Sequence, residues 1–279
     1  MVFLKKFFVA SALLASISGT AFAADLPSRV APPVYAPPVP MFTWTGAYFG
    51  INAGYAFDHE GKFTNFGNTA VNTGVISGNR PGSVSRSSDG FTGGGQVGYN
   101  FQVPGFGGFG GPGSGIVFGM EADAAYTDLS KSGTYVGNAG GISNFRSGLD
   151  FLGTFRGRVG YAFGQFLVYG TGGFAYGGVK DNVTFANAAG VTNYSGVHNK
   201  IETGYTYGGG VEYALPTSSF LNFFKSSAVT IKAEYLHYDL GRTNVLLAAA
   251  PGSRGSYTSR VSNDGDLARI GLNYKFGSY

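Results

Sequence analysis

Between Asp266 and Phe276 every second residue is apolar (Ala268, Ile270, Leu272, Tyr274, Phe276), and Arg269, Gly271, Asn273 and Lys275 lie between them. Successive side chains of a strand point to opposite faces, so this segment has one greasy face and one that carries full charges. The alternation recurs over Thr45–Phe57, Gly90–Val103, Gly115–Tyr126, Leu149–Phe163, Phe166–Val179, Ile201–Leu215 and Val229–Tyr238. Each segment is long enough for the roughly 9–11 residues of a tilted membrane-crossing strand. In the fourth, Phe151, Phe155, Val159, Tyr161 and Phe163 oppose Thr154, Arg156 and Arg158; in the seventh, Val229, Ile231, Ala233 and Tyr235 oppose Thr230, Lys232 and Glu234. The connections alternate between long (58–89, 127–148, 180–200, 239–266) and shorter (104–114, 164–165, 216–226). An even strand number with that alternation is the plan of an outer-membrane barrel. The pattern predicts an all-β, eight-stranded antiparallel up-and-down transmembrane β-barrel with long extracellular loops.

The charges decide which face meets what. A soluble barrel hides its apolar face and wets its charges; a membrane barrel does the reverse. Within the predicted strands the charged residues are Glu121, Asp123, Glu212 and Glu234 against Arg156, Arg158, Lys232, Arg269 and Lys275, and all fall on the less apolar face. Arg or Lys on the lipid face costs about 2–4 kcal/mol at the bilayer midplane, so their absence there is what lipid enforces. A lipocalin-like soluble barrel is disfavoured on that ground.

The N-terminus predicts export. Lys5 and Lys6, the short apolar run Phe7–Ile17 and the small-x-small Ala21-Phe22-Ala23 read as a signal peptide over 1–23. Residues 24–43 carry Pro27, Pro32, Pro33, Pro37, Pro38 and Pro40, a semi-rigid periplasmic tail, and 44–279 form the barrel. Loss of Lys5 and Lys6 halves the formal charge of +4, so the basic balance says little about partners. Composition agrees with a curved sheet: 48 glycines permit bending and close strand approach, and 25 Phe with 18 Tyr supply interfacial girdles. Cysteine is absent, which excludes a disulfide scaffold and thiolate metal sites.

An eight-stranded barrel has an interior that side chains can just fill. Four acids and five bases inside should pair, because an uncompensated buried charge costs far more than a paired one. The expectation is a salt-bridged plug; the alternative is a charged pore lining. Glu121 and Asp123 share a face as catalytic carboxylates do, but they belong to the same interior. Gly105–Gly110 fits G-x-G-x-x-G without the helix and the acidic residue that a dinucleotide site needs. His59, His198 and His237 are isolated, and Asp58-His59 lacks the further acids of a barrel protease. No catalytic or metal constellation follows, no cofactor is expected, and the balanced loop charge speaks against nucleic acid. Individual loop cations, among them Lys62, Arg146 and Arg254, can touch lipopolysaccharide phosphates.

After an Ala-Ala-Asp-Leu-Pro start, Phe42-Thr-Trp-Thr-Gly-Ala-Tyr-Phe-Gly-Ile-Asn-Ala-Gly-Tyr55 resembles the small outer-membrane β-barrel proteins of alphaproteobacteria, the outer-membrane immunogenic or porin family, which are similar to the OmpA transmembrane domain. Arg269-x-Gly271-x-x-Tyr274-x-Phe276 is similar to the assembly signal of such barrels, with Gly277-Ser278-Tyr279 added after the aromatic where they commonly stop. The resemblance implies outer-membrane localisation, no catalytic residues, and a role in envelope integrity and surface interactions. Its implied partners are outer-membrane lipid, lipopolysaccharide, the barrel-assembly machinery and a host or surface ligand at the loops. Some related proteins bind haemin, for which His59 and His198 would be the candidates. A small porin is the alternative function.

Overall fold

Alternating chains with Gly at crowded positions close on themselves. In a computed structural model, which describes residues 42–105, 110–216, 218–219 and 229–276 without the side chains of 58–60, 86 and 88, β1 (Gly46–Gly67), β2 (Ser83–Pro104), β3 (Gly115–Val136), β4 (Ile142–Phe163), β5 (Phe166–Ala186), β6 (Thr192–Ala214), β7 (Val229–Ala249) and β8 (Ser256–Phe276) form a closed barrel. Every neighbour is antiparallel, and β1 pairs with β8 from Ala47↔Phe276 to Phe57↔Asp266 to complete the ring. Glycine permits the closest approaches: a Cβ on Gly94 would strike the Ala124 carbonyl of β3. At the Gly164–Gln165 turn, Gly164 takes φ +64°, a conformation that costs glycine least. The signal peptide and nearly all of the Pro-rich tail lie outside the described residues, as do most of 216–226, part of 104–114 and Tyr279.

The strands run 21–23 residues, about twice what a bilayer needs. Segments expected as long loops are therefore largely strand, and three of the outer connections shrink to the tips 137–141, 187–191 and 250–255. The reason is a reversal of polarity along each hairpin. In the belt, Ile51, Val97, Met120, Phe155, Phe174 and Ile270 face outward and are about half or more exposed, while the inward positions of the charged layer are polar. Beyond the outer aromatic ring the phase inverts: Phe63, Phe145, Val183, Phe185, Val245, Leu247, Tyr257 and Val261 turn inward and are buried together, while Lys62, Arg146, Asn182 and Arg260 sit on the outward positions. Lipid solvates the first half, water the second. Register shifts near Tyr126/Leu129, Leu149/Leu152 and Asp239/Arg242 mark the transition. We call the outer half the stem.

The interior is consequently layered. At the terminal end Trp44, 1 % exposed, packs with Val117, Ala162, Leu167 and Tyr169. Its Nε1 donates to the Gly164 carbonyl (2.9 Å) and its backbone N–H to Gln102 Oε1 (2.8 Å). Above lies a charged layer, then an apolar one with Leu129, Leu149, Leu152, Val179, Leu236 and Leu267. A thin polar layer follows with Lys131, Ser147 and Asp181, all buried. The aromatic cluster of the stem closes the sequence, roofed by Arg80, whose Nη1 donates to the Ile142 carbonyl (2.7 Å) over the Phe185 ring.

Candidate functional site

The charged layer is built by cross-strand pairing of opposite charges. Glu121 of β3 lies directly opposite Arg156 of β4, Glu212 of β6 opposite Lys232 of β7, and Glu234 of β7 opposite Arg269 of β8. Alternation sends all of them inward, and the barrel is narrow enough for them to meet across the axis. Arg156 is the hub. Its Nη2 lies 2.5 Å from Glu121 and 2.9 Å from Asp123, its Nη1 3.0 Å from Glu234, and its Nε donates to Thr154 (2.9 Å). Arg269 grips Asp123 (3.0 Å) and Glu234 (2.7 Å), Lys232 reaches Glu121 (2.8 Å), and Arg158 reaches Glu212 (2.8 Å).

Four acids thus face four bases, each carboxylate touched by at least one cation, and none of these side chains is more than 3 % exposed. Hydroxyls and amides take up remaining lone pairs: Tyr48 donates to Glu121 (2.7 Å), Tyr169 to Glu234 (3.0 Å), Thr154 to Asp123 (2.5 Å), and Thr230 and the Asn273 amide to Glu212 (2.5 and 2.9 Å). The Arg158 guanidinium also stacks over the Tyr169 ring at 4.5 Å. Charges in a low-dielectric interior are tolerated on such terms and no others.

Eight of the nine expected interior charges meet here. Lys275 does not. It is buried near the terminal mouth, where its ammonium lies 5.3 Å from the Phe42 ring. Thr230 and Asn273 lie on the polar face that the sequence predicts, whereas Tyr48 and Tyr169 were not singled out by sequence. Parity identifies them, since Tyr48 keeps step with Asn52 and Tyr169 with Gly173, but aromatic character masked it.

Of the assembly signal, Arg269 is committed to the charged layer, and a Cβ on Gly271 would press on Lys232 and Gln96 at 3.1 Å. Tyr274 and Phe276 pack with Phe49 across the β1–β8 closure, ring centroids 5.9 and 5.5 Å away. Of the haemin candidates, only the His198 side chain lies among the described residues. His198 Nε2 is engaged by Glu202 at 2.8 Å, and the His59 side chain lies outside the described residues. His237 is held by Asp266 (2.9 Å) beside the Tyr207 ring. Among the described residues no cluster of three His, Cys, Asp or Glu is arranged to hold a metal ion.

The polar layer of the stem holds one poorly satisfied acid. Asp181 is 1 % exposed, and neither carboxylate oxygen meets a donor at hydrogen-bonding geometry. Burial pushes its pKa up, while His198 and Lys131 pull it partly back and Glu202 adds to the rise. The folded state therefore binds this proton more tightly than the unfolded chain, and the linked stability falls as pH rises from the ordinary aspartate range through the raised one. Asp181→Asn should abolish that slope and raise the urea midpoint of the folded barrel at neutral pH. An unchanged pH profile would show that Asp181 is not the titrating group.

No family model matches the chain. The 31 kDa outer-membrane immunogenic protein of Brucella melitensis is 34 % identical over 279 residues, an alignment covering 95 % of this chain and 99 % of that protein. The chain belongs to the outer-membrane immunogenic protein family. Other relatives are the 25 kDa outer-membrane immunogenic protein of Brucella abortus, 29 % identical over 98 % of this chain and 99 % of its own, and the 22 kDa outer membrane protein of Rhizobium leguminosarum, 31 % identical over 66 % of each. Among solved structures, OprG of Pseudomonas aeruginosa aligns over 85 % of this chain and 98 % of its own at 14 % identity, with a TM-score of 0.49. Like its relatives, the chain is an outer-membrane β-barrel protein: the apolar belt is its lipid surface and the stem its outer part.

Proposed function

We propose that the protein is a non-enzymatic structural and surface-interaction component of the envelope whose lumen is closed to solutes. The balanced eight-charge layer carries this reading. Each of its carboxylates meets a cation, and a permeant ion would have to break several such pairs at once. Apolar layers on either side reinforce it, and between Leu129, Lys131, Ser147, Tyr238 and Asn263 a cavity of about 30 Å³ leaves space for a water but not for a solute. Outer-membrane lipid meets the belt, lipopolysaccharide phosphates meet cations at the stem surface, and the Arg269-Gly271-Tyr274-Phe276 run engages the assembly machinery. A surface or host ligand is met by the stem and its tips, which also make the surface antigen.

The test is single-channel recording of the refolded mature protein in a planar bilayer, with folding verified by the mobility difference between boiled and unboiled samples. The expected trace has no steady conductance. A reproducible ion-selective step would overturn closure and assign a small porin, with selectivity that reverses when Arg156 and Arg158 become Glu.

A further inference from the structure

The lipid face of β1, β8 and β7 sets small residues between rings. Ala268 of β8 lies between Tyr55 of β1 and Tyr235 of β7, and two residues along the strand Ala53 and Ala233 flank Ile270. Gly209 of β6 lies beside Tyr235. The result is an apolar groove of about 750 Å³ with a floor of small side chains and two tyrosine walls. That volume is within the range of ligand sites.

Higher on the same strands, on the outer wall of the stem, stand three cations. Arg260 of β8 lies opposite Asn244 of β7 and Thr64 of β1, Arg242 of β7 lies opposite Ser262, and Lys62 keeps step with Thr64. All three are exposed. None forms an ion pair among the described residues, whereas Lys180 on β5 is held by Asp150. Arg260 is also held in place. Its Nε donates to Asn244 Oδ1 (3.2 Å), and its guanidinium lies 5.5 Å from the centre of the Phe66 ring. The outer edge of the fork is left for an oxyanion, which a guanidinium grips through two parallel hydrogen bonds.

We propose that this sector of β7, β8 and β1 binds one lipopolysaccharide molecule, with an acyl chain in the groove and anionic core sugars on Arg260, Arg242 and Lys62. The spacing selects the ligand. Ala268 and Arg260 are eight residues apart on β8, about 27 Å along a strand and roughly 20 Å along the membrane normal at the usual barrel tilt. A phospholipid carries its phosphate close to its chains and cannot occupy both levels. Asp239 and Asp264 stand opposite each other between them, where they oppose a phosphate at the foot of the stem. Charge carried on sugars above them meets the three cations directly. The ligand is therefore an acyl lipid with an anionic sugar stalk, which in an outer leaflet is lipopolysaccharide. The assignment rests on the surface role proposed above, of which it names one partner and its site. It does not depend on a closed lumen, which conductance tests separately.

Native mass spectrometry of the folded protein in detergent, with purified rough-type lipopolysaccharide added, tests the site. The parent should retain one such molecule, and should retain phosphatidylglycerol or sugar-free lipid A at least about tenfold less. Lys62→Glu combined with Arg260→Glu should weaken retention at least about tenfold. So should Ala268→Phe, which fills the groove between the two tyrosines. Arg146→Glu, at an exposed cation of β4, and Ala124→Phe, at an exposed belt position of β3, should leave retention within about twofold. Boiled and unboiled gels verify that each variant is folded. Equal losses at the two control positions, or phosphatidylglycerol retained as well as lipopolysaccharide, would overturn the site. Sensitivity to the cations alone would make the patch a site for soluble anionic glycans and overturn the lipid assignment. Retention that ignores every substitution would overturn the site and leave lipopolysaccharide as a partner elsewhere on the barrel. A parent that retains none would overturn both.

Discussion

Arg156→Ala should destabilise the folded barrel by about 3–5 kcal/mol, the cost of leaving buried charge without its partner. One guanidinium contacts Glu121, Asp123 and Glu234 at 2.5–3.0 Å, so its removal leaves an excess of carboxylate in a layer otherwise matched four to four. Arg269 and Lys232 still reach two or more of these acids, which keeps the loss from running higher. A urea titration of the variant in lipid vesicles, read by the folded band on unboiled gels, measures it. Replacing Arg156 and Glu121 together with Leu should recover part of the loss, because a buried pair exchanged for apolar volume is often near neutral. A single variant within 1 kcal/mol of the parent would show that the hub contributes no net stability.

Ile270→Arg should cost about 2–4 kcal/mol, the depth-dependent cost of a cation on the lipid face. Leu246→Arg should stay within about 0.5 kcal/mol, as surface changes do. Both positions point outward and both are 62 % exposed, so neither burial nor strand position separates them. What differs is the surrounding medium: Ile270 lies in the belt, Leu246 in the stem. The same titration on both variants tests the boundary. If the two fell equally, the polarity reversal along the hairpins would not mark the membrane edge.

Much of this architecture was legible because lipid imposes a strict rule on the belt. Asp266–Phe276 obeys it without exception, and so do the acids and bases on the opposite face of β3, β4, β7 and β8. The stem hid from the same reading because it obeys the opposite rule. Phe145 inside and Arg146 outside look like a loop when the template is the Phe155 and Arg156 of the same strand. The change of phase passes through the shift at Leu149/Leu152, which a single alternating template cannot follow. Within the site, charges were easy to place, because a cation has one affordable face. Tyr48 and Tyr169 were harder, because a tyrosine suits lipid interface and polar interior alike, and only the phase of the neighbouring residues tells which it takes. Lys275 followed the phase but not the network. Its height in the barrel sets it beside Phe42, and height is a property of register that one strand's sequence does not contain.

The tips 137–141, 187–191 and 250–255 stand on a stem that carries its own core. Redrawing such a tip disturbs neither the lipid belt nor the matched charges below it. What an antibody meets at the far end and what holds the chain in its membrane are therefore inherited as separate problems. A lineage under immune pressure can rewrite the first without having to solve the second again.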